Sequence, residues 1–119
     1  MGPFSDGWTN AQVEAVLQHD DPKQVLYVPI VVGMNAPDCG REWAEEVCFR
    51  LASHPDWSVR ANAMLGVAHI ARTCRELNME VASRVLICGL RDENAMVRSQ
   101  AAEAVSDIQV FLGVQIGPE

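Results

Sequence analysis

Two stretches of this 119-residue sequence share a Val-Arg-x-x-Ala ending: HPDWSVRANA at residues 54–63 and DENAMVRSQA at residues 92–101. A shift of 38 residues places the Val-Arg pair 59–60 on the pair 97–98, and further matches follow at apolar positions three and four residues apart. Such spacing is typical of the buried face of a helix. The sequence therefore predicts an internal repeat in which each copy is a helix pair that packs on the next pair.

The composition favours an all-α fold. Apolar residues make up 49% of the chain and aromatic residues only 6%, which suits closely packed helices better than a sandwich or a barrel. Residues 25–33 also fit a single buried strand, but no second strand-like run exists to pair with it, so we favour a helix bent near Pro29. The predicted helices span residues 10–19, 22–34, 40–53, 57–72, 79–90 and 95–112.

The length of the chain predicts one domain, residues 1–119. The order of the predicted helices indicates a short α-solenoid of about three antiparallel helix pairs. The NAPDCG segment is the clearest break in the chain, and its Asp38 is predicted to cap the helix that follows. Gly113 is predicted to end the last helix and to leave the tail VQIGPE free. The three pairs are a degenerate hairpin at 10–35, a second at 40–73 and a third at 79–112.

The repeated residues have structural explanations. An Asp or Asn in the turn can accept backbone N–H groups at the start of the second helix, and the Val one turn later can pack on the preceding helix. The Arg can lie along the apolar seam and bond to carbonyl groups or to a turn carboxylate of the neighbouring copy. The residues expected to be structural are Asp56, Val59 and Arg60 in the first copy, and Asp92, Val97 and Arg98 in the second.

The stretch LRDENAMVRSQAAEAVSDI, residues 90–108, resembles the HEAT repeat in its short bacterial form, also found in lyase-type repeat proteins, with the pattern L-x-D-x-x-x-x-V-R-x-x-A-x-x-A-[LV]. The stretch LASHPDWSVRANAMLGVAHI, residues 51–70, is similar. The resemblance covers residues 42–112 and is weak over 10–35, where Lys23, Gln24 and Val25 break the Val-Arg pair. In size, charge and fold the chain resembles bacterial immunity proteins, which implies an inhibitor that neutralises a cognate toxin.

Charge indicates the class of partner. Sixteen acidic and nine basic residues give a formal charge of −7, which argues against direct binding of nucleic acid or of an anionic membrane surface. A basic protein, such as a toxin domain with nuclease activity, is the more natural partner, and we expect the free chain to be a monomer. The sequence shows neither a leader nor an apolar run long enough to cross a membrane, so we expect a cytoplasmic protein.

The candidates for chemistry are few, so we expect no enzyme activity, catalytic residue, metal or cofactor. The four cysteines form no CxxC pair and are expected to be reduced and mostly buried. Glu42, Glu45 and Glu46 share one helical face and could hold a metal or protonate a substrate, but a solvated face is far commoner. His19, His54 and His69 form no ligand or nucleophile motif.

The remaining functional feature is a surface. In stacked helix pairs the second helices line a groove, and outward-facing residues there can bind a protein. Alternatively, Trp57 packs on Trp43 or on the preceding turn. A scaffold or adaptor, as part of a longer solenoid, and a lyase-like enzyme remain alternative functions. The predicted protein-binding residues are Trp57, Asn62, Leu65, His69, Gln100, Glu103 and Asp107.

Overall fold

The structure is a computed structural model that describes residues 9–116, and within this range it contains helices and no strand. The all-α prediction is therefore confirmed, and the alternative of a strand at residues 25–33 is wrong. The helices are α1 (Asn10–His19), α2 (Pro22–Val25), α3 (Val28–Met34), α4 (Ala36–Cys39), α5 (Arg41–Leu51), α6 (Trp57–Cys74), α7 (Met79–Leu90) and α8 (Ala95–Leu112).

The helices of the repeat start and stop where local chemistry places them. Helices α7 and α8 have the predicted bounds, and α6 runs two residues further than expected. The side chains of Asp56, Asn78 and Asn94 each accept a backbone N–H at the start of a helix. Gly113 ends α8 with φ +65°, a left-handed conformation that glycine adopts without strain.

The first hairpin departs from the prediction. The expected bent helix is two short helices, α2 and α3, with a break at residues 26–27. Pro29 lies in the first turn of α3, where a backbone N–H would have no acceptor within the helix. The missing N–H of the proline therefore costs nothing there, and Pro29 starts a helix rather than bending one. Asp38 is part of α4 and does not cap α5, whose N-cap residue Gly40 has φ +100° and no side-chain cap.

The expectation of a free C-terminal tail is wrong for the part that the structure describes. Ile116 is 6% exposed and packs on the core, and its N–H donates to Oε1 of Gln109 at 3.4 Å. Burial of an apolar side chain of this size stabilises the fold by about 1.5–3 kcal/mol, which favours a tail folded against α8. Residues 117–119 of the predicted tail and residues 1–8 of the predicted domain lie outside the described range.

Helix α6 is the centre of the packing and contacts α3, α5, α7 and α8. The apolar positions of α6 that the 38-residue shift matches to α8 are all buried: Val59, Ala63, Val67 and Ile70. Their counterparts in α8 are buried or half-buried. The matched pairs Val59 with Val97 and Ile70 with Ile108 are each 0% exposed. The repeat in the sequence therefore corresponds to two helices that bury the same face.

Helices α3 and α6 approach so closely that glycine is required at the contact. A Cβ atom on Gly66 would lie 2.6 Å from the carbonyl oxygen of Pro29 and 2.8 Å from Sγ of Cys48. A Cβ atom on Gly33 would lie 2.6 Å from the carbonyl oxygen of Gly66. These distances are well inside van der Waals contact, so the two glycines fix the position of the first hairpin on the repeat.

Candidate protein-binding surfaces

An arginine joins the two copies of the repeat. Nη1 of Arg60 donates to the carbonyl oxygens of His54 and Pro55, both at 3.0 Å. Its Nε and Nη2 donate to Oδ2 and Oδ1 of Asp92 at 2.9 and 3.1 Å. The hydrogen bonds from Arg60 lower the pKa of the Asp92 carboxyl, and both side chains are 14% exposed. All four of these hydrogen bonds go to groups of the protein itself, so Arg60 has a structural role.

His54 links the end of α1 to the turn before α6. Nδ1 of His54 accepts the backbone N–H of Asp56 at 3.0 Å, while Nε2 lies 2.7 Å from Oδ1 of Asp20. Because Nδ1 is an acceptor, the neutral tautomer carries its proton on Nε2 and donates it to Asp20. Asp56 itself caps α6 through Ser58. These hydrogen bonds account for His54 and Asp56 without a ligand.

Three of the predicted binding residues share one shallow pocket between α6 and α8. This α6–α8 pocket has a volume of about 80 Å³, and Leu65, His69 and Asp107 line it together with Ala68, Arg72 and Phe111. Nδ1 of His69 lies 2.7 Å from Nη2 of Arg72, which makes the histidine the acceptor. Burial, and secondly the charge of Arg72, lower the pKa of His69. The pocket is too small to hold more than a side chain tip.

The other four predicted binding residues do not line this pocket. Trp57 is 45% exposed, Glu103 is exposed and Gln100 is half-buried. Nδ2 of Asn62 donates to the carbonyl oxygen of Leu26 at 2.8 Å, so this side chain ties α6 to the break between α2 and α3. Ala61, which precedes Asn62 on α6, is only 6% exposed and belongs to the core.

A larger groove lies between α5 and the start of α7. This α5–α7 groove has a volume of about 830 Å³. Phe49, Leu77 and Val81 form its apolar part, and the exposed carboxylates of Glu42 and Glu46 stand one helical turn apart on its α5 wall. Its other lining residues are Arg41, Glu45, Arg50, Glu76 and Asn78.

The groove corrects the interpretation of the acidic run. Glu45 was expected on the solvated face with Glu42 and Glu46, but it is 5% exposed. Its Oε2 accepts from Nη1 of Arg41 at 2.7 Å and from the backbone N–H of Asn78 at 2.8 Å. Glu45 therefore ties α5 to the start of α7 and is one of the residues that line the groove. Helical spacing places all three glutamates together and cannot reveal that the 75–78 loop covers one of them.

Some of the charged side chains in the α5–α7 groove form ion pairs and others do not. Arg41 is engaged with Glu45 and also lies 3.2 Å from Glu76. Among residues 9–116, Glu42 and Glu46 form no ion pair. Four glutamates against two arginines leave the lining with a net negative charge. The groove thus offers three apolar side chains and two carboxylates without an ion-pair partner in the described residues to a basic, partly apolar ligand.

The buried thiols are in environments that oppose the thiolate. Burial raises the pKa of Cys39 to about 11 and raises that of Cys48 still further. The two Sγ–H groups lie 3.8 and 3.7 Å from the carbonyl oxygens of Val32 and Pro29. A thiol held in this way is a poor nucleophile. Cys74 is half-buried and Cys88 is exposed.

Within the described range no group of three or more His, Cys, Asp or Glu residues is arranged to hold a metal ion. None of the helices between residues 9 and 116 combines the length and apolar character needed to cross a bilayer. Comparison of the chain with family models, with curated proteins and with solved structures finds no match.

Proposed function

We propose that this chain is a HEAT-like protein-binding module that captures a basic protein in the α5–α7 groove, as an immunity-type inhibitor does when it occludes the active surface of a toxin. The observation that carries the proposal is that Glu42 and Glu46, which form no ion pair within residues 9–116, line the same groove as the apolar side chains of Phe49 and Val81. A lysine or arginine of the partner would gain a charge-assisted contact there while its alkyl stem covers these apolar side chains.

The overall charge supports a basic partner. The formal charge of −7 steers positively charged surfaces toward the chain and raises their rate of association, most strongly at low ionic strength. The volume of about 830 Å³ accommodates several side chains of a partner rather than one small ligand. The buried, protonated thiols and the hydrogen-bonded histidines favour binding over catalysis.

A short α-solenoid is the architecture that we propose for this module. Its support is the repeated local geometry: Asp56 and Asn94 cap equivalent helices, and Arg60 and Arg98 bond in the same way to the carbonyl groups of their own turns. Helix pairs that stack in one direction expose first and second helices on opposite surfaces. The α5–α7 groove belongs to the first-helix surface and the α6–α8 pocket to the second.

The test is binding to a cognate toxin. Candidate toxin domains encoded by genes adjacent to the one for this chain would be purified and titrated by isothermal calorimetry. We expect one of them to bind below micromolar affinity, with an affinity that falls as salt is raised, and to lose its activity in the complex. Failure of all of them to bind would overturn the inhibitor proposal.

Two charge-matched variants locate the surface. Glu42→Lys with Glu46→Lys reverses the groove carboxylates, and Glu103→Lys with Asp107→Lys makes the same change in charge on α8. We expect the first variant to weaken binding on the order of 100-fold and the second to change it only by the general effect of charge. The reverse order would place the partner on the α6–α8 surface and contradict binding in the groove.

A further inference from the structure

Arg98 makes the same contacts with backbone carbonyl groups as Arg60 does, but it lacks the contact with a carboxylate. Its Nη1 donates to the carbonyl oxygens of Asp92 and Glu93 at 2.8 and 3.1 Å, which fixes the guanidinium against its own turn. In Arg60 the remaining Nε–Nη2 edge binds the carboxylate of Asp92. No carboxylate within residues 9–116 lies within ion-pair distance of Arg98, which is exposed.

The side of α8 that corresponds to the covered side of α6 is also open. In α6, Ala61, Met64 and Ala68 are 6%, 1% and 5% exposed. Met64 is covered by α7, since a Cβ atom on Gly89 would lie 2.7 Å from its Sδ. Thirty-eight residues later in the chain, Ser99, Ala102 and Ser106 are all exposed. Val110, further along α8, is 78% exposed, and Met96, near its start, is 52% exposed.

We propose that Arg98 and the exposed side of α8 form a docking surface for a helical hairpin of another protein, one that carries an aspartate or glutamate in the turn before its second helix. The carboxylate would bind the Nε–Nη2 edge of Arg98, and the second helix would lie on Ala102 and Ser106. This surface is separate from the α5–α7 groove and does not depend on what the groove binds.

The occupant follows from the contact that the chain already makes with itself. The hairpin α7–α8 covers the equivalent surface of α6 and presents Asp92, two residues before the N-cap residue Asn94, to Arg60. A partner turn of the same design would place its carboxylate at Arg98 in bidentate geometry, which a lysine could not reproduce. The guanidinium is already held by two carbonyl groups, so little side-chain entropy remains to be lost on binding.

The chain itself supplies a probe of this surface. Helix α6 ends at Cys74 and α8 ends at Leu112, so a tandem duplication of residues 75–112, inserted after Leu112, would place a copied α7–α8 hairpin next to Arg98. Amide hydrogen exchange followed by mass spectrometry would report whether the copied helices fold on this surface. We expect their exchange to be slowed on the order of 100-fold relative to an unfolded peptide.

The variants in the duplicated chain test the role of Arg98. Arg98→Gln should reduce the protection of the copied helices at least about tenfold, and Arg98→Lys should not restore it. Converting the copied aspartate that corresponds to Asp92 into asparagine should have the same effect, with no further loss when combined with Arg98→Gln. Copied helices that exchange as an unfolded segment, or protection that is independent of Arg98, would overturn the proposal.

Sedimentation of the unmodified protein addresses the other possible occupant. We expect a monomer at all accessible concentrations, because Asp92, the turn carboxylate that a second copy would present on its α7–α8 hairpin, is already bound to Arg60 of its own chain. A dimer that Arg98→Gln dissociates would show that a second copy of this chain covers α8, and it would overturn the assignment to another protein.

Discussion

Arg60 and Asp92, 32 residues apart in the chain, form a two-point ion pair in which Nε and Nη2 of the arginine lie 2.9 and 3.1 Å from the two carboxylate oxygens. The same guanidinium also binds two carbonyl groups of its own turn. This side chain therefore links the start of α6 to the turn before α8.

Removing the ion pair should destabilise the fold. We expect Arg60→Gln to lower the free energy of unfolding by about 2 kcal/mol, because charged hydrogen bonds to a half-buried carboxylate are lost. Arg98→Gln is the matched control, since Arg98 makes the same carbonyl contacts without a carboxylate partner in the described range. Urea denaturation measures both. Equal losses for the two variants would contradict a stabilising role of the pair with Asp92.

The stability that Asp92 contributes should depend on pH. Its pKa is lowered in the folded state, first by the hydrogen bonds from Arg60, so the contribution is present above the unfolded pKa of aspartate, about 3.9, and is lost as pH falls through the lower folded value. The difference in unfolding free energy between the wild type and Asp92→Asn should therefore shrink as the pH falls below about 4. A difference that is constant from pH 7 to pH 2 would argue against this ionisation.

The close approach of α3 and α6 should make Gly66 intolerant of a side chain. We expect Gly66→Ala to destabilise the protein by about 1–3 kcal/mol, because its Cβ would meet the backbone of Pro29. Gly89→Ala is the comparison, since its Cβ would meet only side-chain atoms, Sδ of Met64 at 2.7 Å and Cβ of Ala101 at 2.9 Å, and no backbone atom. The thermal midpoint of Gly66→Ala should be the lower of the two. A larger loss at Gly89 would contradict the packing of α3 on α6.

His69 should titrate below the usual pKa of histidine, and its neighbours should shift it in opposite directions. Burial and Arg72 lower its pKa, while Asp107 raises it. In an NMR titration we expect Arg72→Gln to raise the pKa of His69 and Asp107→Asn to lower it. Protonation of His69 also removes the acceptor for Arg72, so the contact should weaken as pH falls. Shifts of the same sign in both variants would be inconsistent with the α6–α8 pocket.

The four thiols should differ in reactivity. Cys88 is exposed and should react with a thiol reagent in the native protein, whereas Cys39 and Cys48, each 0% exposed and with raised pKa values, should react only after unfolding. The variant Cys88→Ser removes the fast phase and serves as the control. Rapid native labelling of Cys48 would contradict its burial.

The sequence determined the parts of this protein that depend on local chemistry. The bounds of α7 and α8, the caps at Asp56 and Asn94 and the buried positions of α6 follow from periodicity and from backbone groups that must be satisfied within a few residues. The same rules could not place the break between α2 and α3. A proline is compatible with either a bent helix or the first turn of a new helix. In the structure Pro29 starts α3, and α3 packs closely on Gly66.

Only the tertiary structure decided which polar groups meet. Glu42, Glu45 and Glu46 are equivalent on a helical wheel, yet the loop before α7 buries Glu45 and leaves the other two exposed on the wall of the α5–α7 groove. Asn62 was expected to face a partner and instead holds the carbonyl group of Leu26. Helical periodicity specifies a direction around one axis, whereas burial depends on the distance and register of a neighbouring helix, which distant residues set through packing.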